Sequence, residues 1–389
     1  MEQEPYIIFE VESPGGGEFR FDEAADTPRD ALLQLETMTP SDAADARRAP
    51  NRIVAAPLPT ILLQPVATEE TDRPAAAGSS WGVEAVGATS SPFTGAGVKV
   101  AVLDTGIDAG HEAFQGVQIT EQDFTGEGTG DQNGHGTHCA GTIVGRDVNG
   151  FRYGVAPGVT EVFAGKVLGS QGGTTDAVAQ GILWALNSGA SVISLSLGID
   201  FPGAVARNVA RGMPVQPATS QALRAYRDNL RLFEALAGFV RANAAFGRSA
   251  LVVAATGNES ERRLATNPYT IDVSPPAASE GFIAVGALEQ GAGGELGIAE
   301  FSNTGASVVA PGVAIPSAKA GGGFRLLSGT SMATPHVAGV AALWAEKLTQ
   351  GGDPIDPVVL AGRITGTSQP LPGQAPDDVG AGLVRAPAA

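Results

Sequence analysis

Residues 98–107 read Val98-Lys99-Val100-Ala101-Val102-Leu103-Asp104-Thr105-Gly106-Ile107, an apolar run that stops at a carboxylate and a tight turn. Because the apolar residues fill both alternate sets of positions, the run suits a strand covered on both faces, the kind found in parallel sheets. Four more short, mostly apolar runs follow: Glu161 to Val167, Ser191 to Ser196, Leu251 to Ala255 and Gly281 to Val285. Between them, Thr175 to Ser188 and Gln221 to Ala245 have helical spacing. In the second, Leu223, Tyr226, Leu230, Phe233, Leu236 and Val240 recur every three or four residues, a stripe for packing. Strands alternating with helices predict an α/β protein with a doubly wound, mostly parallel sheet flanked by helices. Chemistry in such sheets gathers at the carboxyl ends of the strands, so Asp104 is a candidate functional residue as well as an ordinary turn former.

Size and charge bound the rest. A chain of 389 residues, 43% hydrophobic with 53 glycines, holds one large domain and a small one. The net charge of −17 and only four scattered lysines argue against a nucleic-acid partner, since phosphate contacts need clustered cations. No apolar run is long enough to span a bilayer, and no membrane partner is expected. The single cysteine, Cys139, leaves no intrachain disulfide framework and no Cys-rich zinc site. Met1 is followed by Glu2 and Glu4 rather than by a basic patch and an apolar stretch, so the expectation is a cytoplasmic protein, or a secreted one if a leader has been removed.

Residues 1–80 form a distinct acidic segment, with 15 Asp and Glu against 6 Arg and no Lys. Its alternating run Tyr6 to Val11, a Pro14 to Gly17 turn and Glu18 to Phe21 predict a hairpin. A short amphipathic helix is predicted around Arg29 to Thr37 and a strand near Pro59 to Val66. Thr68 to Ser80 is polar and rich in small residues, as in a linker. The domain boundary is placed after residue 80, with residues 81–389 as the second domain.

Two further stretches carry chemistry. Asn133-Gly134-His135-Gly136-Thr137-His138-Cys139-Ala140-Gly141 puts two histidines among small residues at a helix start, and Gly329-Thr330-Ser331-Met332-Ala333-Thr334-Pro335-His336-Val337-Ala338-Gly339 puts a hydroxyl there. Alone, the second is a helix cap leading into the stripe Val337, Val340, Ala341 and Leu343. The first lacks the third ligand or HExxH pattern of a metal site.

Together with VAVLDTGID around Asp104, these stretches supply Asp, His and Ser in that order. In residue type and order the three blocks resemble those of the subtilisin-like serine proteases, the subtilase family, over Trp81 to about Val384. The HCAGT form is closest to the proteinase K branch, whose disulfides are missing here. The resemblance implies a subtilisin-like α/β domain that hydrolyses peptide bonds as a serine endopeptidase. Ser331 is implied to be the nucleophile, His135 its base, and Asp104 the group that orients the imidazole. Asn258, in Ala254-Ala255-Thr256-Gly257-Asn258, is implied to donate to the oxyanion. Protein or peptide substrate would add as a strand between Ser196-Leu197-Gly198 and Gly172-Gly173. The resemblance leaves the pocket walls, around Ser274 to Ala278 and Thr256-Gly257, without a stated preference. His138 and His336 are expected to be structural, His111 a turn residue and Cys139 a buried small hydrophobe.

Three departures qualify the resemblance. Ala113 stands where subtilisins with a tight calcium site carry an aspartate; no cofactor is needed for the chemistry, and a structural calcium stays open, with loops such as Gly126 to Asn133 as a source of ligands. The separation of Gly198 from Asn258 is about thirty residues greater than in the minimal family pattern, and the surplus, 199–231, is read as a lid over the cleft or a dock for a partner. The first eighty residues are read as a pro-segment and intramolecular inhibitor cut between Arg73 and Ser80, or as an uncut regulatory domain. A peptide ligase or macrocyclase that uses the same acyl-enzyme, and a catalytically silent binding module, are the alternatives to hydrolysis.

Overall fold

The computed structural model describes residues 3–11, 30–49, 51–63, 77–352 and 354–389. The N-terminal unit contains β1 (Glu4–Val11), β2 (Ala31–Met38), α1 (Pro40–Ala46), β3 (Arg52–Ala55) and an extended tail, β4 (Pro59–Leu62). β1 lies between β2 and β3, antiparallel to both. The helix predicted over Arg29 to Thr37 is corrected: all eight residues of β2 pair with β1. Helix propensity is a weak preference, and the open edge of β1 offers a full ladder of backbone partners while Ala31 and Leu33 pack onto the core. The predicted turn and second hairpin strand, residues 14–21, lie outside the described residues. α1, which the sequence reading passed over, starts in a capping box in which Thr39 and Asp42 satisfy each other's backbone N–H.

The larger unit is built on an eight-stranded sheet. Its elements are β5 (Lys99–Asp104), β6 (Gln118–Asp123), α2 (His135–Val144), β7 (Glu161–Lys166), β8 (Gly172–Thr174), α3 (Thr175–Asn187), β9 (Val192–Leu195), β10 (Leu197–Ile199), α4 (Phe201–Ala210), α5 (Val215–Ala242), β11 (Leu251–Ala255), β12 (Ile283–Gln290), β13 (Leu296–Ile298), β14 (Val308–Pro311) and α6 (Thr330–Thr349). The strand order is β13-β12-β11-β9-β5-β7-β6, with β14 also beside β12. Every pair is parallel except β12 with β13. The five predicted strands are all present.

The opening stretch explains the layers. Val100 and Val102 pack with α2 and α6 on one side of the sheet. Ala101 and Leu103 pack with α3 and α5 on the other. That second layer also receives Ile7, Phe9 and Val11 of β1, with Phe9 edge-on to Phe239 of α5 at 6.1 Å. The opposite face of the small sheet, Tyr6, Ile8 and Val54, is closed by Ala43 of α1.

The surplus predicted at 199–231 forms α4 and the first part of a long α5. Asp200 caps α4 by accepting from the Gly203 N–H at 2.8 Å. The N-terminal unit rests against α5: Arg47 pairs with Asp228 at 3.0 Å, and the buried Asn229 donates to the Ala56 carbonyl at 2.7 Å.

Candidate active site

Asp104 ends β5, and His135 opens α2 beside it. The helix comes this close because residue 136 is glycine: a Cβ there would collide with the Gly106 carbonyl and stand 3.1 Å from the Asp104 Cβ. His135 Nδ1 lies 2.8 Å from Asp104 Oδ1, which also accepts from the Thr105 N–H at 2.8 Å. Both side chains are 1% exposed. Burial is the largest single influence and disfavours the imidazolium, but the charge and hydrogen bond of Asp104, with a further contribution from Cys139, together outweigh it and hold the ring's pKa well above the ordinary 6.5. With Nδ1 as donor to Asp104, Nε2 carries the lone pair of the neutral ring, and it has no hydrogen-bond partner among the described residues.

Ser331 stands in the first turn of α6, where backbone N–H groups have no partner within the helix. It is no cap; its Oγ donates to the Leu63 carbonyl oxygen at 3.4 Å and reaches the Ser196 carbonyl oxygen at 3.5 Å. Nucleophile-to-base hydrogen bonds are commonly loose before substrate is in place and tighten for the chemistry. Ser196 donates in turn to the Ser331 carbonyl at 3.1 Å. Cys139 is fully buried behind the pair, its sulfur 3.5 Å from the same carbonyl, and burial pushes the thiol pKa up, as befits an inert core residue.

Asn258 follows β11, as expected. Its Oδ1 accepts from the Thr330 N–H and hydroxyl, both at 2.8 Å, which turns the amide nitrogen toward the start of α6. A Cβ on Gly329 would stand 3.1 Å from that nitrogen. The loop itself is tied by Asn303, which the sequence reading missed because an asparagine between Ser302 and Thr304 looks like any turn residue. Its Oδ1 accepts from the Glu259 and Ser260 N–H groups, and its Nδ2 donates to the Thr256 carbonyl.

Asp131 was missed as well. It accepts from the Thr105 hydroxyl at 2.9 Å, from the Asn133 and Gly134 N–H groups, and from the N–H and hydroxyl of Thr137. It therefore ties the Asp104 turn to the His135 helix. Both oxygens of Asp131, and both of Asp123 just before the Gly126 to Asn133 loop, accept from local donors in this way. Among the described residues, the one cluster of three ligand-type side chains is Asp104, His135 and Cys139, which is the site itself.

Both expected substrate edges are paired, and the strand between them is the chain's own β4. Gly173 opposes Thr60, while Leu197, Gly198 and Ile199 oppose Leu62, Ile61 and Thr60, all antiparallel. β4 thus completes a four-stranded sheet with β10, β8 and the short strand Leu168–Gly169. It delivers the Leu63 carbonyl to Ser331, which is fully buried beneath it. The cut had been expected between Arg73 and Ser80. Of that stretch, residues 73–76 lie outside the described residues and Gly78–Ser79 pair with Phe151–Arg152, whereas Leu63 is the residue brought to the serine.

The other histidines hold backbone. His138 bonds the Ile315 carbonyl at 2.9 Å, and burial lowers its pKa to about 3. His336 bonds the Met332 carbonyl at 2.8 Å, with burial lowering its pKa to about 4. His111 is more than a turn residue: it accepts from the Ala113 N–H and reaches the Gly323 carbonyl at 2.8 Å.

Residues 95–381 match the sequence pattern of the subtilase family. M-protease of Shouchella clausii (strain KSM-K16) is 39% identical over 274 residues, covering 69% of this chain and 60% of that protein. Subtilisin Savinase of Lederbergia lenta is 39% identical over 274 residues, covering 69% of this chain and 84% of that protein. A fungal relative, subtilisin-like protease 6 of Trichophyton soudanense, is 36% identical over 287 residues, 70% of this chain and 60% of that protein.

Proposed function

The chain belongs to the subtilase family, and from that premise we propose that it is a serine endopeptidase that cuts its own chain after Leu63. The observation that carries the reading is the 3.4 Å hydrogen bond that Ser331 Oγ donates to the carbonyl oxygen of Leu63, the residue that follows a strand paired on both sides.

The reaction proceeds as follows. Ser331 Oγ attacks the substrate carbonyl carbon as His135 Nε2 takes its proton, and Asp104 stabilises the imidazolium that results. The oxyanion is met by the Ser331 N–H and by Asn258 Nδ2. When the intermediate collapses, the C–N bond breaks, His135 protonates the departing amine, and the acyl group stays on Ser331 until water, activated by the same imidazole, releases it. Only side chains, backbone and water take part in the chemistry.

A fluorophosphonate tests this reading. Protein that cleaves a peptide library should lose that activity as the probe becomes attached to Ser331, located by peptide mass; attachment elsewhere, or activity that survives stoichiometric labelling, would contradict it. Asn258→Ala should keep KM near its original value while kcat falls by about 10²–10³, a scale set by the equivalent loss in subtilisin rather than by this geometry.

The N-terminal unit acts as the intramolecular inhibitor, and the 199–231 insertion serves as its dock. Arg47 against Asp228, Asn229 on the Ala56 carbonyl and Phe9 on Phe239 all join β1 to β3 or their flanks to α5. Removing the Asn229 amide leaves the Ala56 carbonyl without its donor, at a cost of about 1–2 kcal/mol. Asn229→Ala should therefore weaken inhibition of the processed enzyme by its detached N-terminal unit about five- to thirty-fold. An unchanged inhibition constant would remove the dock.

A further inference from the structure

The insertion also builds one wall of a groove beside the substrate strand. Phe201, Leu223 and Tyr226 of α4 and α5 face Ile271 and Val273 across about 400 Å3, and Ile61 of β4 is part of the lining. The wall is formed in advance, because the Phe201 and Tyr226 rings pack edge to face at 5.8 Å. Leu223 and Ile271 are 46% and 40% exposed, apolar surface that the described residues leave uncovered.

The register shows which substrate residue meets this groove. Side chains alternate along β4, so Ile61 and Leu63 share a face. Gly198 lies opposite Ile61, and a Cβ on it would stand 3.0 Å from Ser274 Oγ and 3.2 Å from the Leu63 side chain. Ser274 lines the groove as well. Ile61 is the third residue before the bond presented to Ser331.

Resting on the endopeptidase reading, we propose that this groove is a binding subsite for the third residue before the scissile bond and selects a bulky apolar side chain there. Asp200, Glu259 and Asp272 also border the groove, so an acidic residue at that position meets like charge as well as an apolar wall. The insertion thereby contributes to substrate choice in addition to docking the N-terminal unit.

The test uses processed enzyme and a peptide series with leucine before the scissile bond and isoleucine, phenylalanine, glycine or aspartate two residues earlier. A chromogenic substrate with only two residues before the bond runs beside it. The expected kcat/KM for isoleucine or phenylalanine exceeds that for glycine by roughly ten-fold or more, with aspartate lowest. In Leu223→Ser and in Tyr226→Ser the isoleucine-to-glycine ratio should fall toward one, while Val209→Ser, an exposed change on α4 outside the groove, keeps the original ratio. Equal rates across the series with the short substrate still hydrolysed would overturn the subsite alone, as would a ratio unaltered in both groove variants. Hydrolysis of neither kind of substrate would sink the endopeptidase reading, and the subsite with it.

Discussion

Ser331→Ala is expected to yield an uncut chain of 389 residues whose residual peptide hydrolysis is lower by about 10⁶-fold in kcat. That scale comes from removal of the nucleophile in subtilisin itself. The structural reason is that, among the described residues, the neighbouring hydroxyl and thiol are not available to replace it. Ser196 Oγ is already donating to the Ser331 carbonyl, and the Cys139 thiol is buried with its pKa pushed up. What remains in the variant is strand pairing and the oxyanion donors, which bind a peptide without breaking it. Intact mass and turnover on a fluorogenic peptide measure both effects in one preparation. Processing that continues at the original rate in the purified variant would show that another group does the cutting.

Asp104→Asn should cost about 10⁴-fold in kcat, although it changes no more than one atom of the side chain. Asp104 Oδ1 accepts from His135 Nδ1, which leaves the lone pair on Nε2 for the Ser331 proton. An amide nitrogen in that place donates to Nδ1 and forces the proton onto Nε2, where it blocks the base. The pH profile separates this effect from simple damage. The ring works only when neutral, so activity is lost as the pH falls through its pKa. In the unaltered enzyme that limb should lie above pH 6.5, because the carboxylate raises the pKa against the opposing pull of burial. In the variant the carboxylate's contribution is gone while burial stays, and the limb of whatever activity remains should move to lower pH. A limb at the same pH in both proteins would show that Asp104 does not set the charge of His135.

Much of this site was legible because its parts sit at places that sequence patterns mark well. An apolar run on both alternate faces announces a buried parallel strand, and Asp104 falls at its carboxyl end. The helices carrying His135 and Ser331 begin in small residues that let backbone approach backbone, as Gly136 does against Gly106. The edges Ser196-Leu197-Gly198 and Gly172-Gly173 came from the family resemblance, and both pair with the chain's own strand at Pro59–Leu62.

What stayed hidden depends on contacts between segments far apart in the chain. The leucine-rich run 31–38 has acceptable helical spacing, and only the presence of β1 decides that it is a strand. A strand near Pro59 was expected, but nothing local says that it adds between β8 and β10, 110 and more residues away, or that Leu63 stops at the serine. The polar linker drew the expected cut to Arg73 to Ser80, because linker composition reports solvent exposure and not proximity to a nucleophile. Asp131 and Asn303 look like turn formers in sequence. Their importance lies in how many backbone donors from separate loops converge on each, and that is a property of the fold.

The most direct test is the N-terminal sequence and mass of the processed protein after expression of the full chain. Ser331 acting on the strand that lies in its cleft predicts a new N-terminus at Gln64, a companion fragment ending at Leu63, and neither species from Ser331→Ala. A protein that hydrolyses peptides and accepts a fluorophosphonate at Ser331 while retaining an unbroken Leu63–Gln64 bond would contradict it.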